Sequence, residues 1–471
     1  MEVAIERFDV GPILGAVSPD SARLWGRGRE ARKGVLRRMF GAARFRKKGG
    51  SFGPAQHFKL NPNFDLTGVT VLHPLTPNTD YEYEIGAFAA DIEFEHLTGP
   101  DGPRPTLMWK EAHQGSFRTA SKDPKAQRSF VFGSCRYLLR LFGGSWFDDR
   151  GDKTFRSILR QIEKGRRVDQ ILMLGDQIYA DDLNFLHADQ GVDQYFKRYR
   201  DVFSQDHFAK LVSRTPTYMT LDDHEIEDNW PARASSKDFM RKFPAAMHAF
   251  LTYQLSHSPL FSHGKDGRLR EQPNHYWYQF EDGCCEFFVM DTRTERLYGE
   301  KGERLQIIAE NQMKALKEWL ADGSERVKLV ATSIPFFPDL EGSAADRWDA
   351  FSEKRIEILN HIRDNKVRRV VFLSGDVHSS MTAELRHPDD PSFKVVSAVS
   401  SPFYWPYPHS SAKGFKTTGR LDESSGYRLR RGGPVHSTDN FARVTVSPTQ
   451  LRAEFFKRKG EPLGTAKTHK F

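Results

Sequence analysis

Apolar and polar positions alternate through the first 120 residues. The clearest case is TDYEYEIGAF, where period two marks a half-buried strand. SARLWGR and GVTVLHPL read as further short strands, with SPDS, TPNT and glycine-rich stretches as turns between them. GSFRTA closes this part, and the polar segment SKDPKAQ reads as a linker at residues 121–127. The expected unit over residues 1–120 is an all-β sandwich of immunoglobulin or fibronectin type, with a basic insertion at about residues 27–60.

From residue 128 the pattern changes to continuous apolar runs separated by helical periodicity. RSFVFGSC, VDQILMLGD, TPTYMTL, CCEFFVMD, VKLVATSIPFF and VRRVVFLSGD read as strands. KTFRSILRQIEK, DQYFKRYRDVFS, AENQMKALKEWLADG and EKRIEILNHIRDN read as helices between them. This alternation predicts a layered α/β domain over residues 128–456. SFKVVSAVSSP and FARVTVSPTQLRAEFFK add β segments, and residues 457–471 read as a C-terminal tail.

Composition narrows the class. With 36 Phe, 8 Trp and 28% charged residues, the chain has core material and does not resemble a disordered protein. No apolar run approaches the ~18 residues of a spanning helix. The start, MEVAIERFDVGPIL, lacks a basic stretch followed by an apolar one, so a cytoplasmic protein is expected. Cys135, Cys284 and Cys285 are too few for a disulfide framework, and the vicinal pair reads as packing. The net charge of +8 is localised: residues 21–50 hold eleven Lys or Arg against one Glu. That stretch is either a solvated segment or a patch for nucleic acid, anionic lipid or another polyanion. No nucleic-acid-binding signature accompanies it.

The apolar runs of the second region end on chemistry. They run into Cys135-Arg136, Asp176 with Tyr179, Asp222-Asp223-His224-Glu225, Asp291 with Arg293, and Asp376 with His378. A single Asp there is an ordinary turn former. A series of them suggests one crevice beyond the carboxyl ends of the strands. Carboxylates, imidazole, phenol and thiolate form a mixed hard and soft donor set suited to metals. Two ions about 4 Å apart, sharing one carboxylate, suit both this ligand number and phosphoryl chemistry. Cys and Tyr on one ion favour trivalent iron, while carboxylates and amides favour calcium or manganese.

In order, Gly133-Ser134-Cys135-Arg136, Gly175-Asp176-Gln177-Ile178-Tyr179-Ala180-Asp181, Asp222-Asp223-His224-Glu225, Asp291-Thr292-Arg293 and Ser374-Gly375-Asp376-Val377-His378 resemble the motifs of PhoD-type alkaline phosphatases. That family lies within the calcineurin-like metallophosphatases. Glu310-Asn311-Gln312 with Trp319-Leu320, and Asp346, Trp348 and Arg355, resemble its intervening segments. Leu24-Trp25, Leu75-Thr76-Pro77 and Phe117-Arg118-Thr119 resemble the β-sandwich that precedes its catalytic domain. The resemblance covers most of the chain and implies a metallophosphatase β-sandwich core flanked by helices.

It also implies a role for each residue. Cys135, Asp176, Tyr179 and His378 would hold the first ion, iron, with Asp176 bridging to the second. The second, calcium or else manganese or zinc, would take Asp176, Asp376 and either or both of Asp223 and Asn229. Packing remains the alternative for Cys135 and Tyr179, turn formation for Asp176, and a hydrogen-bonded core position for His378. Asp222 would support the ligands from behind. His224 would face the leaving group, and Arg136 would clamp phosphate. Arg293 is a further substrate candidate, with an ion pair to Asp291 as its alternative. Asp181, Asp182 and His187 fall in a loop that could line the mouth. The implied reaction is hydrolysis of a phosphate monoester or diester by a hydroxide held between the ions. The alternatives are a phosphodiesterase or nuclease on a polyanion, and a polyanion-binding module with a vestigial metal site.

Overall fold

The computed structural model describes residues 2–29, 38–98, 105–141, 146–181, 188–264, 270–271, 273–299, 304–341 and 347–471. The chain divides into two compact units. One comprises Met1–Lys122 with Phe196–Tyr218 and His248–Asn274, the other Asp123–Tyr195, Met219–Met247 and His275–Phe471.

The first unit holds two antiparallel sheets. Val10–Val17, Ala22–Arg27 and Thr67–Leu72 form one; Gln56–Lys59, Arg38–Lys47, Asp80–Ala90 and His113–Arg118 form the other. Leu14, Leu24, Phe58, Leu72, Tyr83, Ile85 and Phe117 are buried together between them. The alternation in TDYEYEIGAF is thus a real strand, with Tyr81, Tyr83 and Ile85 turned to the core.

The basic stretch departs from expectation. Arg38–Lys47 was expected inside an insertion, yet it is a ten-residue strand paired along its length with Asp80–Ala90. Its arginine density hides the apolar positions Phe40, Ala42 and Ala43, which are buried. Register also answers the charge, because Arg44 lies opposite Glu84 and Arg46 opposite Glu82. Their ion pairs close at 2.6 and 2.7 Å. Arg27 is likewise bound to Asp9 and Asp65. Arg29, Lys47 and Lys48 remain exposed, and residues 30–37 lie outside the described residues.

The second unit is built on two sheets. The first runs Thr217–Thr220, Gln170–Leu174, Arg128–Gly133, Asn440–Ser447, Gln450–Lys457, Pro462–Lys470. The second has eight strands, ordered Tyr278–Asp282, Cys285–Val289, Val327–Ala331, Val370–Ser374, Asp390–Val399, Met381–His387, Arg428–Arg431, Gly419–Arg420. Strands 285–289, 327–331, 370–374 and 390–399 are parallel neighbours, which is why they read as unbroken apolar runs. Phe287 faces Phe130 of the other sheet at 5.5 Å. The next residue, Phe288, faces the opposite way and meets Trp319 at 5.6 Å.

Trp319 lies on helix Glu310–Leu320, which buries Met313, Leu316 and Leu320. Helix Ser352–Asp364 buries Ile358, Leu359 and Ile362, the stripe its periodicity predicts. Both helices share one core with Phe288, Val330 and Phe372. The expected C-terminal tail is instead largely a strand. Pro462–Lys470 pairs antiparallel with Gln450–Lys457, and its alternation was diluted by Gly464, Thr465 and Lys467. Cys284 and Cys285 are buried free thiols, with the Cys284 thiol donating to the Val446 carbonyl at 3.2 Å. No described helix is long and apolar enough to cross a membrane.

Candidate metal centre

The loops that follow the strands are held in unusual backbone conformations. Cys135, Asp176, Asn229, Asp376 and His378 all have positive φ, between 47° and 67°. For residues with a Cβ this strain costs roughly 1–3 kcal/mol each, and it gathers where side chains must be aimed. One carboxylate ties two of these loops together: Glu225 accepts from the backbone N–H of Asp176 at 3.0 Å, Gln177 at 2.6 Å and Asp222 at 2.8 Å. Ser134 Oγ accepts from the Asp376 N–H at 2.9 Å, joining two more.

Gly175, at φ +93°, lets the Asp176 loop pass against Asp222; a Cβ there would lie 2.4 Å from the Asp222 Cβ. Gly175→Ala is therefore expected to lose about 2–4 kcal/mol of stability, read by urea unfolding, from left-handed backbone and overpacking together. A change below about 0.5 kcal/mol contradicts the close approach.

These loops assemble carboxylates. Asp176, Asp222, Asp223 and Asp376 each bring an oxygen within 4.8 Å of the others, and Asp176, Asp223 and His224 form an overlapping group. Cys135 joins Asp176: its Sγ lies 3.2 Å from Asp176 Oδ2. The Tyr179 hydroxyl lies 3.5 Å from the same oxygen. The Asn229 N–H donates to Asp223 Oδ2 at 2.6 Å, which places the two competing ligands side by side. His378 joins neither group; its ring stacks on Trp405 at 4.0 Å.

The electrostatics fit a cation. Burial, reinforced by Asp223, Asp222 and Glu225, drives the Asp176 carboxyl well above its usual range. Burial pushes Asp222 up to about 7 against the pull of Arg293. Burial and the charges of Asp176 and Asp376 raise the Cys135 thiol. Burial pushes His378 down to about 3, leaving the neutral ring a metal needs. Asp176 Oδ1 and Asp222 Oδ2 are buried and accept no hydrogen bond among the described residues. Packed anionic donors with orphaned lone pairs are what hard cations satisfy, so the residues present fit metal ions.

The two arginines are placed otherwise than expected. Arg136 is buried, its guanidinium 4.7 Å over the Phe155 ring and 3.9 Å from Asp152. Burial lowers it to about 10. That seat belongs to packing, so the expected phosphate clamp loses its support. Arg293 is fully buried. It pairs through Nε with Asp222, approaches Asp223 at 3.5 Å, and donates to the Trp230 carbonyl at 3.2 Å. It holds carboxylates in place, Asp222 and Asp223 among them, while Asp291 accepts from its backbone N–H.

Two residues escaped the sequence reading of the site. Asp181, expected at the mouth, is buried and sits 2.8 Å from His224 Nδ1. Glu225, which ties the loops, was legible only as the last letter of its motif. Asp182, His187 and Asp346 lie outside the described residues.

Known proteins resemble this chain. Alkaline phosphatase D of Bacillus subtilis (strain 168) is 23% identical over 294 residues, 55% of this chain and 47% of that protein. The match thus spans about half the length of that relative. A solved structure of PhoD superposes with a TM-score of 0.70 at 18% identity, covering 99% of this chain and 92% of that one. Purple acid phosphatase PPD1 from yellow lupin (Lupinus luteus) seeds gives 0.60 at 12% identity, covering 97% and 73%. At these identities the structural likenesses speak for the fold, a mixed α/β architecture dominated by sheets. Residues 139–438, more than half of the chain, match the model of the PhoD-like phosphatases, and the chain belongs to that family.

Proposed function

We propose that the protein hydrolyses phosphate esters, monoesters or diesters, at a binuclear metal site on the carboxylate cluster. The observation that carries this reading is the convergence of Asp176, Asp222, Asp223 and Asp376, with Asp176 Oδ1 and Asp222 Oδ2 accepting no hydrogen bond among the described residues and Asp176 and Asp376 held at positive φ. Cys135, Tyr179, Asp176 and His378 would hold one ion, iron, and Asp176, Asp223, Asn229 and Asp376 the other, calcium or else manganese or zinc. Such cations, when bound, polarise phosphoryl oxygens and lower the pKa of water.

The chain's own contribution is positional and acid–base. Arg293 and Glu225 fix the carboxylates. Asp181 fixes the His224 ring through Nδ1 and, with Asp223, raises it against burial well above its ordinary value. That leaves Nε2 to pass a proton to the departing alkoxide. We further read the first unit as an immunoglobulin- or fibronectin-type sandwich before a catalytic domain at 128–456, and a reducing cytoplasm as the setting that suits its free thiols. Arg44 and Arg46 are answered across the sheet, so within Arg38–Lys47 these two charges are engaged by Glu84 and Glu82.

His224→Asn tests the acid role. Activity on an alkyl phosphate is expected to fall by about 10²–10³-fold. Activity on nitrophenyl phosphate, whose leaving group needs no proton, should fall far less. Equal losses on both esters would assign His224 to metal binding, as its grouping with Asp176 and Asp223 allows.

A further inference from the structure

We infer that the site prefers phosphate esters whose alcohol carries a flat aromatic ring, of which nucleosides are the natural class, and that Tyr407, at the outer end of a row begun by Trp405, forms the shelf on which that ring stacks. This rests on the phosphate-ester reading and names its substrate class. Trp405 stacks on His378 with centroids 4.0 Å apart and planes 29° off parallel. It also meets Tyr179 at 5.7 Å and Tyr137 at 5.9 Å. Tyr407 continues the row 5.2 Å beyond Trp405 with its plane turned 66° from it, meets Tyr137 edge-on at 6.0 Å, and is 38% exposed. The row therefore leads from two candidate ligands, Tyr179 and His378, out to solvent.

The shelf is anchored to the site. The Tyr404 N–H donates to the Cys135 carbonyl at 3.2 Å, and the Tyr137 N–H donates to the Tyr404 carbonyl at 3.1 Å. The Trp405 N–H donates to Asp439 Oδ1 at 3.0 Å. Trp405 Nε1 is buried and has no acceptor among the described residues, which makes it a donor for a ligand. An ester with its phosphoryl group at the carboxylates would run its alcohol along these rings. Stacking tolerates any base, so selection is for ring over alkyl rather than among bases.

The test compares adenosine 5′-monophosphate with glycerol 3-phosphate, both esters of primary alcohols. The parent protein should favour the nucleotide by roughly tenfold in kcat/KM. Tyr407→Ala should cut that preference roughly fivefold through KM, with glycerol phosphate unchanged, and Tyr407→Phe should keep it. Equal efficiency, or a preference that survives Tyr407→Ala, overturns the shelf. Calorimetric binding separates this from failure of the phosphatase reading. If neither ester turns over but the nucleotide binds more tightly than inorganic phosphate and depends on Tyr407, the shelf stands and the phosphatase reading falls. If both are hydrolysed and the nucleotide binds no more tightly than phosphate, only the shelf falls.

Discussion

Asp176→Asn is expected to abolish phosphate-ester turnover while leaving the metal-free protein at least as stable as its parent. Asp176 is buried among Asp223, Asp222 and Glu225, whose charges raise its carboxyl well above the usual range. An amide removes that repulsion at nearly constant volume, so the metal-free variant should melt at the same temperature or higher. With metal the order reverses. The parent gains stability as ions bind the folded state, and the variant gains less. Loss of the carboxylate proposed to be shared should lower kcat/KM on the order of a thousandfold, about 4 kcal/mol of barrier. Thermal melts with and without added metal, beside the rate assay, read both halves. A variant that is destabilised without metal and still active would contradict the assignment.

The second large effect is on folding. Arg293→Leu should lose about 3–5 kcal/mol, the penalty for leaving buried charge without its partner. Two carboxylates depend on this guanidinium: Asp222 through Nε and Asp223 at 3.5 Å. Against burial, Arg293 and His224 hold Asp223 below the ordinary carboxylate range, so its charge is the one most exposed to the loss. Arg293→Lys should recover only part of the stability, since an ammonium cannot reproduce a planar fork on two acids and the Trp230 carbonyl. Urea unfolding in the absence of metal measures this. Loss of activity with unchanged stability would move Arg293 to the substrate side, as the sequence alone allowed.

Arg293 also shows where the sequence was legible and where it was not. Strands with both faces covered, such as Cys285–Val289 and Val370–Ser374, announce themselves as apolar runs. The residues that end such runs were therefore visible as a series, and the structure gathers Asp176, Asp222, Asp223 and Asp376. Partners were not visible, because contact between Arg293 and Asp222 spans 71 positions and no spacing rule encodes it. Arg136 misled for the same reason: next to Cys135 in the chain, it turns to Phe155. The arginines of Arg38–Lys47 concealed a strand because their charge is matched across the sheet, a property of register rather than of composition. Asp181 could have been found by asking which carboxylate orients His224, since an active imidazole is routinely held through its second nitrogen.

The central claim is that these strand ends bind metal in order to hydrolyse phosphate esters. Elemental analysis of protein purified without added metal, with the Asp176→Asn variant alongside, tests it most directly. About two equivalents in the parent, iron among them, and a marked loss in the variant is the predicted result. No bound metal in the parent, and none after reconstitution with iron, calcium, manganese or zinc, would contradict it.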